Sequence, residues 1–95
     1  MTTSSSFAAS ISDLPIHPGE FLAEELEARG LTQKELARRM NRSPQVINQI
    51  VRGKKAITAE TAIAPEQAMP GLSARYWLNL QTDYELAAAY QRMAG

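Results

Sequence analysis

The sequence predicts an all-α fold of five short helices joined by short connections. Apolar residues recur at helical spacing along most of the chain, and the alternation typical of strands is almost absent. Capping residues and helix-ending glycines or asparagines divide this pattern into five segments. A chain of 95 residues suffices for one small core, and five helices leave no room for a sheet.

The composition excludes several classes of protein. With 44% hydrophobic and 21% charged residues, the chain resembles an ordinary globular protein. It has no cysteine, which excludes disulfides and thiolate metal sites and fits a reducing cytosol. No Lys or Arg precedes Arg29, and no apolar run approaches the roughly 18 residues that cross a bilayer. We therefore expect a cytoplasmic protein without a signal peptide or a membrane partner.

The first helix is predicted to follow a flexible N-terminal tail at residues 1–14, and residues 15–95 are predicted to form a single domain with a C-terminal helix. In "HPGEFLAEELEARG", Pro18 suits a first turn and Gly30 suits a helix end. His17, the only histidine, is interpreted as a cap or packing residue rather than a catalytic base. The apolar stripe consists of Phe21, Leu22 and Leu26.

The second and third helices are marked by strong capping signals. Thr32 followed by Glu35 is the capping-box pattern, and Asn41 tolerates the left-handed conformation that ends a helix. Ser43 then caps a third helix with Pro44 at its first position. Gly53 is expected to end it. The residues expected to face inward are Leu36, Ala37, Met40, Ile47 and Ile50.

The fourth helix is predicted from Thr58, as its cap, through Ala68, and the fifth from Ser73. Pro65 lies inside the fourth helix, where it removes a backbone hydrogen bond at a cost of roughly 3 kcal/mol. We therefore expect a kink or early break near Ala64. On the fifth helix, the expected core residues are Trp77 and Leu80. Tyr84, Leu86 and Tyr90 suggest a dimer surface, and a freely projecting amphipathic tail is the alternative.

The formal net charge is zero, but the charges are unevenly distributed along the chain. Residues 33–55 contain seven cations and a single acid, Glu35, whereas residues 13–27 contain five acids and no cation. The basic window favours an anionic partner, although a solvated helix face is the simpler interpretation. The cations are Lys34, Arg38, Arg39, Arg42, Arg52, Lys54 and Lys55.

Two short helices joined by a turn of about three or four residues form a helix-turn-helix, whose second helix can enter the DNA major groove. If the isoleucines of the third helix face the core, Gln45, Asn48, Gln49 and Arg52 project from its other side. Amides can pair with adenine and Arg with guanine, as base reading requires. Solvated polar positions are the alternative interpretation of the same residues.

Catalysis finds little support in the sequence. There is no diagnostic Ser/His/Asp spacing, no Gly-rich phosphate loop, no metal-ligand cluster and no cofactor motif. We expect neither an enzyme nor a bound cofactor or metal.

The segment "LTQKELARRMNRSPQVINQIVRGKKAIT" resembles the helix-turn-helix of Cro/C1 or XRE-type repressors, which have the lambda-repressor-like fold. The flanking "HPGEFLAEEL" and "GLSARYWLNLQTDYEL" resemble the HigA, or VapI-like, antitoxin family. The family pattern favours an apolar helix former at Pro65, so this chain departs from it there. Together with the helical face, the resemblance implies ten candidate DNA-binding residues. They are Gln33, Arg42, Ser43, Pro44, Gln45, Asn48, Gln49, Arg52, Lys54 and Lys55.

The resemblance also implies a function. HigA-like proteins are dimeric repressors that bind an inverted repeat in their own promoter and neutralise a HigB toxin, a RelE-like ribonuclease that cleaves mRNA on the ribosome. The acidic first helix is either a docking surface for such a basic toxin or a solvated face. It carries Glu20, Glu24, Glu25 and Glu27. A standalone phage-type regulator and a module that only binds a toxin remain the alternatives.

Overall fold

A computed structural model describes residues 15–94, apart from the side chains of residues 64 and 65; the predicted tail at residues 1–14 lies outside the described residues. Five α-helices follow one another, and no strand occurs within the described residues. They are α1 (Pro18–Arg29), α2 (Gln33–Met40), α3 (Pro44–Val51), α4 (Ala59–Ala68) and α5 (Ala74–Ala94). The predicted all-α, five-helix fold is confirmed.

The boundaries of α2 and α3 follow from local hydrogen bonds. The Thr32 hydroxyl accepts from the Glu35 backbone N–H, and the Glu35 carboxylate accepts from the Thr32 N–H, which completes the predicted capping box. Asn41 ends α2 at φ 58° and ψ 42°, in the left-handed region. The Ser43 hydroxyl accepts from the Val46 N–H at 3.3 Å, which confirms that Ser43 caps α3.

The helices enclose one apolar core centred on Trp77, which is fully buried. Helix α3 packs between α2 and α1, and α5 packs against α4 and α1. Leu36, Ile47 and Ile50 are buried as predicted, and Leu80 is only partly buried. Burial of this apolar surface holds the short helices together, because isolated helices of 8 residues are not stable in water. The position of α3 is therefore set by the core.

Helix α4 continues past Pro65 to Ala68, so the early break predicted near Ala64 is wrong. The capping interaction of Thr58 is reciprocal: its hydroxyl accepts from the Thr61 N–H at 3.4 Å, and its N–H donates to the Thr61 hydroxyl at 2.8 Å. Beyond the proline, Ala68 is buried in the core. Tertiary packing supplies most helix stability, and it holds this helix together across the missing N–H. A kink at this position stays a prediction.

Helix α5 is the longest helix, with 21 residues, and it extends beyond the core. Its first half is held in place by the buried Trp77 and by a hydrogen bond in which the Ala74 N–H donates to the Glu66 carboxylate of α4 at 3.1 Å. Its last turns expose Tyr90 and Met93, which are 69% and 84% accessible. Among the helices of the described part, none is both long and apolar enough to cross a membrane.

Candidate nucleic-acid interface

Helix α3 presents one apolar side to the core and one amide-bearing side to solvent. Ile47 and Ile50 are only 0% and 2% exposed, whereas Gln45 is exposed and Gln49 is half-buried. Gln45 and Gln49 are one helical turn apart, so their amides lie on the same side of α3. Ser43 and Pro44, at the start of the helix, are exposed as well. A helix with this arrangement can place amide donors and acceptors against base edges.

Asn48 differs from the freely projecting residue that the sequence suggested. It is half-buried, and its Nδ2 donates to Gln33 Oε1 at 3.2 Å. This hydrogen bond joins the first residue of α2 to the middle of α3. Asn48 therefore fixes Gln33 at the N-terminus of α2, where backbone N–H groups favour an anion. In this arrangement the Asn48 amide points toward α2 and orients Gln33.

The cations placed around α3 are accessible. Arg42 precedes the helix, and Arg52, Lys54 and Lys55 follow it; all four are exposed. Gly53 adopts φ 76°, and the Lys54 N–H donates to the Gln49 carbonyl oxygen at 2.8 Å, so the chain turns tightly after α3. The turn holds the backbone of Lys54 close to the last turn of α3.

The one acid of the basic window, Glu35, is occupied by its own helix cap. Hydrogen bonds from the Thr32 backbone N–H and hydroxyl lower the pKa of Glu35, with smaller contributions from Arg39 and Arg38. The carboxylate stays charged and directed at Thr32. It therefore does not form an ion pair with the described cations of the interface.

The position of α3 also depends on Gly19, whose role sequence reasoning missed. A methyl group on Gly19 would overlap the carbonyl oxygen of Ile50 and lie 3.0 Å from Cα of Val51. The start of α1 therefore rests directly on the backbone at the end of α3. The signal was present in "HPGE", because a glycine inside a helix otherwise weakens it and suggests a close backbone contact.

Gln81 is a second residue that sequence reasoning missed. It is buried, with 6% exposure, and its Oε1 accepts from the Ile57 N–H at 2.9 Å. Its Nε2 donates to the Glu85 carboxylate at 2.9 Å. Both ends of this buried amide are thus paired, and the loop that follows α3 is tied to α5. An amide at a core position of "YWLNLQ" was the available signal.

Comparison with known proteins agrees with this geometry. Residues 22–77 match the model of the helix-turn-helix family. Virulence-associated protein I of Dichelobacter nodosus is 44% identical over 90% of this chain and 81% of its own length. An addiction module antidote protein of the HigA family from Coxiella burnetii is 34% identical, with a TM-score of 0.78 over 84% of this chain and 87% of that one. The chain belongs to the HigA antitoxin family of helix-turn-helix proteins.

A further HigA structure bears on the interface. Pseudomonas aeruginosa antitoxin HigA with the higBA promoter is 40% identical to this chain, with a TM-score of 0.77 over 83% of this chain and 86% of that one. The resemblance to HigA and the lambda-repressor-like fold are thereby confirmed, as is the expectation that this family member is a DNA-binding protein and not an enzyme. Within residues 15–94, no group of three His, Asp or Glu residues is placed to hold a metal ion.

Proposed function

We propose that this HigA-family protein is a cytoplasmic repressor that binds operator DNA in its own promoter through α3. The observation that carries the proposal is the two-sided character of α3: Ile47 and Ile50 are buried, whereas Gln45 is exposed and Gln49 is half-buried on another side of the helix. The Pseudomonas aeruginosa HigA with its promoter supports the choice of ligand. Residues 15–95 act as the DNA-binding unit.

Nine of the ten candidate residues are assigned to base edges, to phosphates or to the recognition surface, and Asn48 orients one of them. Gln45 and Gln49 read base edges, because their amides lie on the accessible side of α3. Gln33 holds a phosphate at the N-terminus of α2, in an orientation set by Asn48. Arg42, Arg52, Lys54 and Lys55 contact backbone phosphates through their charge, and Ser43 can donate its hydroxyl to a phosphate. Pro44 lies with Gln45 and Gln49 along the recognition surface.

A twofold homodimer presents two copies of α3 to an inverted repeat. Two features of α5 support this assembly. A groove of about 180 Å³ lies between the start of α1 and α5, lined by apolar side chains that include Phe21, Leu80 and Tyr84. Leu86, Tyr90 and Met93 expose apolar surface on the part of α5 beyond the core.

We further propose that the protein neutralises a HigB-like toxin, an mRNA-cleaving ribonuclease encoded beside it. The HigA-family relatives support an antitoxin function. Glu20, Glu24 and Glu27 are exposed on α1, whereas Glu25 pairs with Arg29 at 3.1 Å. The three carboxylates form a surface suited to a basic toxin. Co-expression with the neighbouring open reading frame should relieve growth arrest and yield a complex that co-purifies.

The assignment of base-reading residues can be tested on a duplex that the protein itself selects from a random library. Gln45→Ala with Gln49→Ala should abolish the preference for this duplex over a scrambled one and leave weak non-specific binding, because each amide pair contributes about 1–3 kcal/mol of discrimination. Lys54→Ala should weaken both duplexes similarly. Full preference in the double variant would refute the assignment.

A further inference from the structure

Helix α2 carries a second basic surface outside the reading side of α3. Lys34 and Arg38 lie one helical turn apart on α2, and Arg42 follows from the turn. All three are exposed, and together they border one concavity of about 340 Å³. The full lining is Lys34, Glu35, Ala37, Arg38, Arg42 and Pro44.

None of these three cations forms an ion pair within the described part of the chain. The ion pair found there joins Arg29 to Glu25, on α1. The nearest acid, Glu35, also borders the concavity, but its Oε1 accepts from the Thr32 N–H at 2.9 Å and from the Thr32 hydroxyl at 3.2 Å. Three positive charges and one negative charge therefore border the concavity, and the positive excess favours binding of an anion.

The position of this concavity beside the start of α3 indicates which anion binds there. Pro44, the first residue of α3, forms part of its wall. Lys34 directly follows Gln33, which is hydrogen-bonded to α3 through Asn48. When the N-terminal part of a recognition helix contacts base edges, the protein surface beside that part faces the sugar-phosphate backbone. Lys supplies a point charge and Arg a planar fork, and both suit phosphate oxygens.

We propose that Lys34 and Arg38, together with Arg42, bind DNA phosphates beside the half-site that α3 reads. This inference rests on the proposed function, because it places duplex DNA against α3. It adds two residues of α2 to the interface and gives them a defined task. They increase affinity for every duplex and leave the sequence preference to α3.

The experiment measures how affinity for the selected duplex depends on salt. Each phosphate neutralised by the protein contributes about 0.9 to the slope of log affinity against log salt concentration. Lys34→Gln and Arg38→Gln should each lower the magnitude of this slope by about 0.9. Lys34→Arg should retain the wild-type slope. Arg75→Gln, which removes an exposed cation at the start of α5, is the matched control and should also leave the slope unchanged.

The outcomes separate this inference from the proposed function. For all four variants, the ratio of affinities for the selected and scrambled duplexes should remain that of the wild type. If the wild type prefers the selected duplex but Lys34→Gln and Arg38→Gln keep its slope, Lys34 and Arg38 do not bind phosphate, and the concavity serves another anion such as an acidic protein segment. If the wild type binds no duplex, both the proposed function and this inference fail.

Discussion

His17 is the residue at which three parts of the molecule meet. Its Nδ1 accepts from the Gly19 N–H at 2.9 Å, and its ring contacts the ring of Tyr84 edge-on, with 4.9 Å between centroids. A methyl group on Gly53 would lie 3.6 Å from its Cγ, so the ring also borders the turn after α3. A single side chain thus caps α1 and borders both the turn after α3 and helix α5.

The cap that His17 forms on α1 predicts that the free energy of unfolding depends on pH near neutrality. Burial lowers the pKa of His17 from 6.5, and the nearby Glu20 carboxylate opposes this only partly. In the folded state, His17 must be neutral for its Nδ1 to accept this hydrogen bond. The contribution of the cap to stability is therefore complete above 6.5, the pKa of His17 in the unfolded chain. Below that value the unfolded chain takes up a proton first, and stability falls as the pH approaches the lower pKa of the folded state.

Urea unfolding at a series of pH values measures this effect. The free energy of unfolding should decrease from about pH 7.5 to about pH 5.5 in the wild type, before most carboxylates titrate. His17→Asn is the matched control, because Asn can also cap a helix but does not titrate. An equal decrease in this variant would show that another group is responsible.

A second prediction at this scale concerns Gly19. Gly19→Ala should destabilise the fold by roughly 1–3 kcal/mol or more, because the new methyl group must displace the backbone of Ile50. Thermal unfolding measures the loss. Ala is the better helix former by about 1 kcal/mol, so without the contact the substitution would stabilise α1. A melting temperature above that of the wild type would therefore contradict the proposed contact.

At the scale of elements, sequence patterns predicted what is local and missed what is distant. The caps at Thr32, Ser43 and Thr58 could be predicted because a cap and its target lie within one turn of chain. The hydrogen bond from Asn48 to Gln33 and the contact of Gly19 with Ile50 could not, because they depend on how two helices approach each other. The early break expected near Ala64 was wrong for the same reason: packing against the core outweighs the low helix propensity of Pro65.

The attachment of the loop after α3 to α5 can be tested through Gln81. Gln81→Leu should cost about 1–3 kcal/mol, because it leaves the buried N–H of Ile57 without its acceptor. Hydrogen exchange at the Ile57 amide should accelerate more than the global loss of stability explains. Asn79→Leu, at an exposed position on the same helix, is the control and should change neither measurement. Unchanged exchange at Ile57 in the Gln81 variant would show that the loop is held by other contacts.

At the scale of the whole molecule, charge and apolar surface are separated. Seven of the ten cations lie between residues 33 and 55. Three exposed acids, Glu20, Glu24 and Glu27, lie on α1. The last turns of α5 expose the apolar side chains of Leu86, Tyr90 and Met93. Each surface can therefore serve a different partner at the same time. The uneven distribution of charge could be predicted from the sequence. The exposed apolar residues of α5 could not be predicted with the same certainty, because their exposure depends on where the core ends.

We predict that the protein dimerises through the exposed apolar residues at the end of α5. Leu86 on α5 and Ile63 on α4 are both 49% exposed, so they provide a matched pair of exposed apolar residues. Leu86→Glu should shift the protein from dimer to monomer in sedimentation velocity, because a charge in an apolar interface must lose its hydration. Ile63→Glu should leave the assembly unchanged. A dimer with two copies of α3 can bind both half-sites of a duplex at once and gains affinity from doing so, whereas a monomer binds only one. Leu86→Glu should therefore also reduce the affinity for a duplex with two half-sites to the affinity for a single half-site. If both variants remained dimers, the interface would lie elsewhere, and the groove between α1 and α5 would be the next surface to substitute, at Phe21.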